Sequence, residues 1–177
     1  MLPDLAAARV LHWLSRVERW LVLSAFLVLV LVVFADVVAR EFTGNGLYWA
    51  SQTAIWANVL VVMAGFGLAS AQGAHLRPRF SDGWLPASWG PVLRFLQHLV
   101  MALFCCAIGA LAAWVTYGSW QLGEISIDLL LPIWPVQMFL PLAFFSAGLR
   151  HLLYAIYTDL RPPETGGLAV LASESDA

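Results

Sequence analysis

Lysine is absent from this sequence, and all nine positive charges are arginines. Charged residues of either sign make up only 11% of its 177 residues, against about 25% in a typical soluble domain. The net charge of −2 argues against nucleic-acid binding. The only two cysteines, Cys105 and Cys106, are adjacent, so they cannot form a disulfide framework, and we expect them to be packing residues. With 61% hydrophobic residues, the composition predicts an integral membrane protein.

Motifs of the common catalytic classes are also lacking. The sequence has no HExxH, no GxSxG, no phosphate-binding loop and no CxxC pair. No carboxylate is expected deep inside a membrane span, so a proton or ion relay has no group to use. We therefore predict no catalytic residue, no metal site and no bound cofactor, and we expect a protein that is not an enzyme.

Four long apolar stretches are present instead, and each is long enough to cross a bilayer as a helix. We place the spans at about 20–38, 47–71, 93–119 and 132–157, which predicts an all-α, multi-pass membrane domain over residues 20–157. Pro141 should kink the fourth span. Residues 1–19 form a basic amphipathic helix, which either lies on the membrane surface or extends the first span. Residues 158–177 are expected to be a disordered tail.

The arginines predict the orientation of the four spans. Only Arg40 falls in the loops on one side, whereas the other eight precede the first span, lie between the second and third, or flank the end of the fourth. The positive-inside rule then places both termini and the middle loop in the cytoplasm. Arg150, near the inner end of the fourth span, is expected to extend its side chain toward water.

Two sets of polar or small residues indicate contacts with other protein. Small residues and amides on a span favour close helix packing, so we expect such a face in the second span, against this chain or another. It includes Ser51, Gln52, Asn58, Gly65 and Ala69. At the outer ends of the spans, charged residues act either as interfacial anchors or as a contact point for an extracytoplasmic partner. They are Asp36, Arg40, Glu41, Glu124 and Asp128.

A pair of histidines supports an alternative function. His98 and His151 are similarly placed near the inner ends of the third and fourth spans. Two imidazoles at one depth on adjacent helices could ligate a haem iron axially. The alternative is therefore a haem-binding membrane electron carrier with a four-helix bundle. An assembly subunit of some other membrane complex is a further possibility.

Taken together, several short motifs resemble the small permease (DctQ-like) subunit of tripartite ATP-independent periplasmic (TRAP) transporters. The resemblance extends from Arg16 to about Tyr157. The order and spacing of the motifs are more specific to the family than any single motif. The motifs are Arg16-Val17-Glu18-Arg19, Asp36-Val37-Val38-Ala39-Arg40, Trp49, Trp56, Gly65, Gly73-Ala74-His75-Leu76 and Leu131-Pro132-Ile133-Trp134. The chain departs from the family at Ala50-Ser51-Gln52, where the family usually carries acidic residues.

The resemblance implies a scaffold subunit in the bacterial inner membrane. Such a subunit binds a large multi-span permease, which carries the sites for organic acids and sodium. A periplasmic substrate-binding protein delivers the substrate to the outer face. On this basis the polar face of the second span would contact the large permease, and the outer charged residues would form the docking surface.

Overall fold

A computed structural model describes residues 2–71 and 90–160 of the chain, and these residues are almost entirely helical. The helices are α1 (Leu2–Thr43), α2 (Ala50–Ala71), α3 (Gly90–Leu122), α4 (Trp134–Gln137) and α5 (Phe139–Ile156), followed by a 3-10 turn (Thr158–Leu160). Four stretches are long and apolar enough to cross a membrane: Ala7–Thr43, Ala50–Ala71, Val92–Leu122 and Trp134–Ile156. This confirms the four predicted spans. The disorder predicted for residues 158–177 meets the described residues only at 158–160, which form the 3-10 turn. The rest of that tail and the middle-loop motif at Gly73 lie outside the described residues, and the orientation stays a prediction.

Helix α1 is one uninterrupted helix of 42 residues. At 1.5 Å per residue it is about 63 Å long, whereas the hydrocarbon core of a bilayer is about 30 Å thick. The basic amphipathic segment is therefore the extension of the first span, the second of the two alternatives left by the sequence. The helix ends before Gly44, whose φ of 73° is the left-handed conformation that commonly terminates helices at glycine.

The spans form an open row in the order α1, α2, α5, α3. Helix α2 packs against α1 on one side and α5 on the other, and α5 packs extensively against α3. Within the described residues, α1 and α3 make no extensive contact with each other. The row therefore leaves two broad faces uncovered by this chain, and many large apolar side chains are exposed on them.

Small residues allow α2 to sit in the middle of the row. Its buried residues are Ala50, Ala57, Ala64, Gly67 and Ser70. None of them has a side chain that would hold a neighbouring helix away, so α1 and α5 can approach the α2 backbone closely.

The fourth span is interrupted near its N-terminal end. Helix α4 ends at Gln137 and α5 begins at Phe139. Pro141 has no N–H to donate to the carbonyl of Gln137, and its ring crowds that carbonyl. The interruption therefore lies where the kink was predicted from Pro141.

Candidate partner surfaces and a buried ion pair

Arg150 does not extend toward water as we predicted from the sequence. Its side chain is 0% exposed, and its guanidinium Nη2 lies 2.8 Å from Glu18 Oε2. Arg150 Nη1 also donates to the backbone carbonyl of Gly67. The prediction was wrong because it considered only how near Arg150 is to the end of its span. A carboxylate on α1, 132 residues earlier, gives the guanidinium a partner inside the protein.

Glu18 has a second partner on α5, because the Ser146 hydroxyl donates to Glu18 Oε1 over 2.9 Å. The pair therefore joins α1 to α5 across the α2 backbone at Gly67. A Cβ atom built at Gly67 would come within 2.5 Å of Glu18 Cδ, so any larger residue here would force the carboxylate to shift from its position against Arg150. We name Glu18, Gly67, Ser146 and Arg150 the buried ion-pair cluster.

His98 and His151 lie close together, as their similar depth suggested, but their rings contact each other directly. Their Nδ1 atoms are 3.2 Å apart, within hydrogen-bonding distance. One ring must then donate while the other accepts, so at least one of them is neutral. Axial ligation of haem would need a porphyrin between the two rings, and here the rings are hydrogen-bonded directly to each other. The geometry therefore does not favour the haem alternative.

The predicted polar face of α2 points away from the rest of the chain. Ser51 and Asn58 are exposed, and Gly65 and Ala69 are half-buried. A Cβ atom at Gly65 would meet nothing within 4 Å. Gln52 is half-buried and lies about 100° around the helix from Ser51, on the side of the buried Ser70. We name Ser51, Asn58, Gly65 and Ala69 the α2 outer face.

Asn58 is the unusual member of this face. Its amide makes no side-chain hydrogen bond within the described part of the chain, and its position falls inside a span. An amide facing lipid hydrocarbon without a partner is costly. The arrangement suits a face that packs against another protein, which could bond the amide and approach closely at Gly65.

The charged residues at the C-terminal end of α1 divide between two environments. Asp36 forms an ion pair of 2.6 Å with Arg40 and accepts the backbone N–H of Leu47 over 2.7 Å. It thus holds the connection between α1 and α2. Arg40 itself is 66% exposed, and Glu41 is also exposed.

Glu124 and Asp128 lie on a folded loop between α3 and α4. An isolated antiparallel bridge joins Ile125 to Pro132, and a backbone hydrogen bond of 2.8 Å joins Ser126 N to Leu131 O. Both acidic residues are exposed. We name residues 123–133 the outer loop.

An apolar tip accompanies these acidic groups, and the sequence reasoning missed it. Ile127 is 90% exposed and Leu130 is 72% exposed. Leu130 has a φ of 54°, a conformation that costs a non-glycine residue energy. The run Asp128-Leu129-Leu130-Leu131, outside any helical repeat, was the available signal. The outer loop therefore offers a compact surface of mixed apolar and acidic character.

No group of three or more side chains suitable for holding a metal ion occurs among the described residues. The features of this chain are instead packing surfaces: an open row of four membrane helices, an uncovered polar helix face and an exposed outer loop. They define a multi-pass membrane protein with broad surfaces that the described part of this chain does not cover.

Comparison with known proteins identifies the family. Residues 29–161 match the model of the tripartite ATP-independent periplasmic transporters, DctQ component. The chain is 22% identical over 143 residues, covering 81% of this chain and 74% of the other, to the ectoine TRAP transporter small permease protein TeaB of Halomonas elongata. No solved structure matches the chain. The chain belongs to the DctQ family of small TRAP transporter permeases, which are inner-membrane transport proteins and not enzymes.

Proposed function

We propose that this chain scaffolds the large permease of a TRAP transporter during sodium-coupled uptake of organic acids delivered by a periplasmic binding protein. The observation that carries the proposal is the open row of helices in a member of the DctQ family. A row with two uncovered faces suits a flat support against which a larger membrane protein packs.

The α2 outer face is the proposed contact with the large permease. Asn58 supplies an amide, and Gly65 supplies a position where a neighbouring backbone can approach. Measured hydrogen bonds between membrane helices average about 0.6 kcal/mol, so most of the contact energy would come from close packing around Gly65 and Ala69. A bulky side chain at these positions should therefore be more damaging than loss of the amide alone.

Leucine substitution tests this contact. We expect Asn58→Leu/Gly65→Leu to abolish co-purification with the large permease, because two isobutyl groups would separate the packed surfaces. The control is Ala107→Leu/Ala110→Leu, which adds apolar volume to exposed positions of α3. Co-purification, measured from membranes in mild detergent, should survive in the control. Loss of the complex in the control alone would assign the contact to α3 and contradict the proposal.

The outer loop, with Glu124 and Asp128, is the proposed docking surface for the periplasmic binding protein, together with Asp36, Arg40 and Glu41. Its exposed Ile127 supplies an apolar contact, and the surrounding charges can set orientation and association rate. The location fits the predicted topology, in which this loop faces the periplasm.

Removal of the apolar tip tests the docking surface. Ile127→Ser should weaken binding of the periplasmic protein to the purified two-subunit membrane complex by roughly ten-fold, since hot-spot truncations cost more than about 1 kcal/mol. Assembly of the two membrane subunits should be unchanged. The control is Ile156→Ser, because Ile156 is also exposed but lies at the end of the fourth span that is far from this loop. Unaltered binding by Ile127→Ser would remove this loop from the docking surface.

A further inference from the structure

The N-terminal half of α1 has a basic outward face that the proposed transport function does not use. Its buried residues Ala7, Glu18 and Ala25 recur at helical spacing and face the rest of the row. On the opposite side, Trp13 is 65% exposed and Trp20 is 68% exposed. Arginines share this outward side, because Arg9 and Arg16 are also exposed.

Three side chains gather on the outward side around a shallow depression. Arg9, His12 and Arg16 fall at positions i, i+3 and i+7, which places them on one helix face. With Ala8 and Trp13 they line a depression of about 300 Å³. We name Arg9, His12 and Arg16 the basic patch.

A hydrogen bond inside the basic patch fixes one of its arginines. Arg16 Nη2 lies 2.9 Å from His12 Nε2. Because a guanidinium can only donate, this ring nitrogen accepts the hydrogen bond. The contact uses one of the five N–H groups of Arg16. The others can donate in a planar fork, the geometry that suits a phosphate group.

The charge around the basic patch is of one sign. Among the described side chains from Ala7 to Trp20, the sole carboxylate is Glu18, and it faces inward against Arg150. Arg19, which is exposed, adds positive charge nearby. An anion approaching the outward face therefore meets no acidic side chain among the described ones.

The outward face continues as a membrane-facing apolar surface. Beyond Trp20 it carries Leu23, Leu27 and Leu31, each more than half exposed. A guanidinium fork, then tryptophans, then leucines follow one another along one helix face. A phospholipid in a bilayer presents matching groups in the same order, from the phosphate through the interfacial region to the acyl chains.

We propose that the basic patch binds the phosphate of an anionic phospholipid in the leaflet at the N-terminal end of α1. The acyl chains of this lipid lie along Trp20 and Leu23, and Trp13 borders the headgroup. A protein partner would have to match a strongly positive surface and an apolar one on the same helix face, whereas one anionic lipid supplies both. The site lies before residue 29, where the family match begins, and it does not depend on the proposed scaffold function.

Native mass spectrometry of the full chain, purified in detergent and titrated with phosphatidylglycerol or phosphatidylcholine, tests the proposal. The wild-type chain should retain phosphatidylglycerol in preference to phosphatidylcholine. Each arginine near a membrane surface contributes about 1 kcal/mol to attraction of anionic lipid. Arg9→Gln/Arg16→Gln should therefore weaken phosphatidylglycerol binding by roughly ten- to thirty-fold.

A charge-matched control separates a defined site from general attraction. Arg94→Gln/Arg161→Gln removes two positive charges elsewhere and should leave phosphatidylglycerol binding within about two-fold of wild type.

Should the Arg9→Gln/Arg16→Gln variant fail to fold by circular dichroism, the single Arg16→Gln carries the test, with an expected loss of about five-fold. Equal loss in the test and control variants, or no loss in the test variant, would overturn the proposal. Displacement of the lipid by millimolar inorganic phosphate would also overturn it, because the patch would then be a site for a soluble anion.

Discussion

Removing one partner of the Glu18–Arg150 ion pair should destabilise the chain far more than breaking the Asp36–Arg40 ion pair at the C-terminal end of the same helix. Glu18→Leu leaves the guanidinium of Arg150 buried without its carboxylate. Arg150→Met makes the reverse change with a side chain of similar length. Removing one partner of a buried ion pair typically destabilises a protein by about 3–5 kcal/mol. Arg150 Nε has no hydrogen-bond partner within the described part of the chain, so we expect the lower end of this range.

The double variant gives the sharper result. Glu18→Leu/Arg150→Met removes both charges together, and replacement of a whole buried pair by apolar residues is often neutral or stabilising. We expect the double variant to be at least as stable as Glu18→Leu alone, although it loses twice as many polar groups. The coupling energy should be at least about 3 kcal/mol, because each single variant includes the cost of an uncompensated charge.

Thermal unfolding in detergent, followed by tryptophan fluorescence, measures these differences. At about 2–4 °C per kcal/mol for a chain of this size, each single variant should lower Tm by roughly 6–12 °C. The control is Arg40→Met, which breaks an arginine–carboxylate contact of 2.6 Å whose arginine is 66% exposed. It should cost less than about 1 kcal/mol. A double variant whose loss equals the sum of the two single losses would refute the reasoning.

Two further changes test the local packing. Gly67→Ala should lower Tm because its Cβ would collide with the Glu18 carboxylate. A Cβ at Gly65 meets nothing within 4 Å, so Gly65→Ala should leave Tm unchanged or raise it, since alanine favours a helix over glycine by about 1 kcal/mol. Equal Tm values for the two variants would contradict the close packing at Gly67. Asp36→Ala should destabilise the chain by about 1.5–3 kcal/mol, because the Leu47 N–H loses a charged acceptor; hydrogen exchange of this amide should quicken, and exchange at the wild-type rate would show that Asp36 does not hold the turn.

The four spans were predictable because spanning a bilayer is largely a property of local sequence. About 20 apolar residues suffice to indicate a helix that crosses the membrane. The motifs that carried the resemblance to the DctQ family are also local. The proline at position 141 indicated where the fourth span is interrupted, and the structure has the interruption at that place.

The order of the helices in the row was not predictable, and α2 shows why. Ala50, Ala57 and Ala64 form one stripe of small residues, and Ser51, Asn58 and Gly65 form another, one residue further along. The two stripes lie about 100° apart around the helix, and either could have packed inside the chain. The structure buries the alanine stripe and leaves the other uncovered, a choice that depends on the shapes of α1 and α5.

The buried ion pair was missed for a related reason. Glu18 stands between Arg16 and Arg19 in a basic segment, which is typical of a solvated surface. Its partner is 132 residues away, and the space for the pair comes from a glycine on a third helix. The sequence signals were a single acid among arginines and a basic residue inside an otherwise apolar span. Neither signal identifies its partner without the packing of α1, α2 and α5.

Co-purification from native membranes tests the central claim most directly. The tagged full chain would be extracted in mild detergent, and the proteins that accompany it would be identified by mass spectrometry. As a scaffold subunit of a TRAP transporter, the chain should bring with it a large permease with many spans, in a constant ratio that Asn58→Leu/Gly65→Leu abolishes. Purification without such a permease, or together with haem-containing redox subunits, would contradict the account.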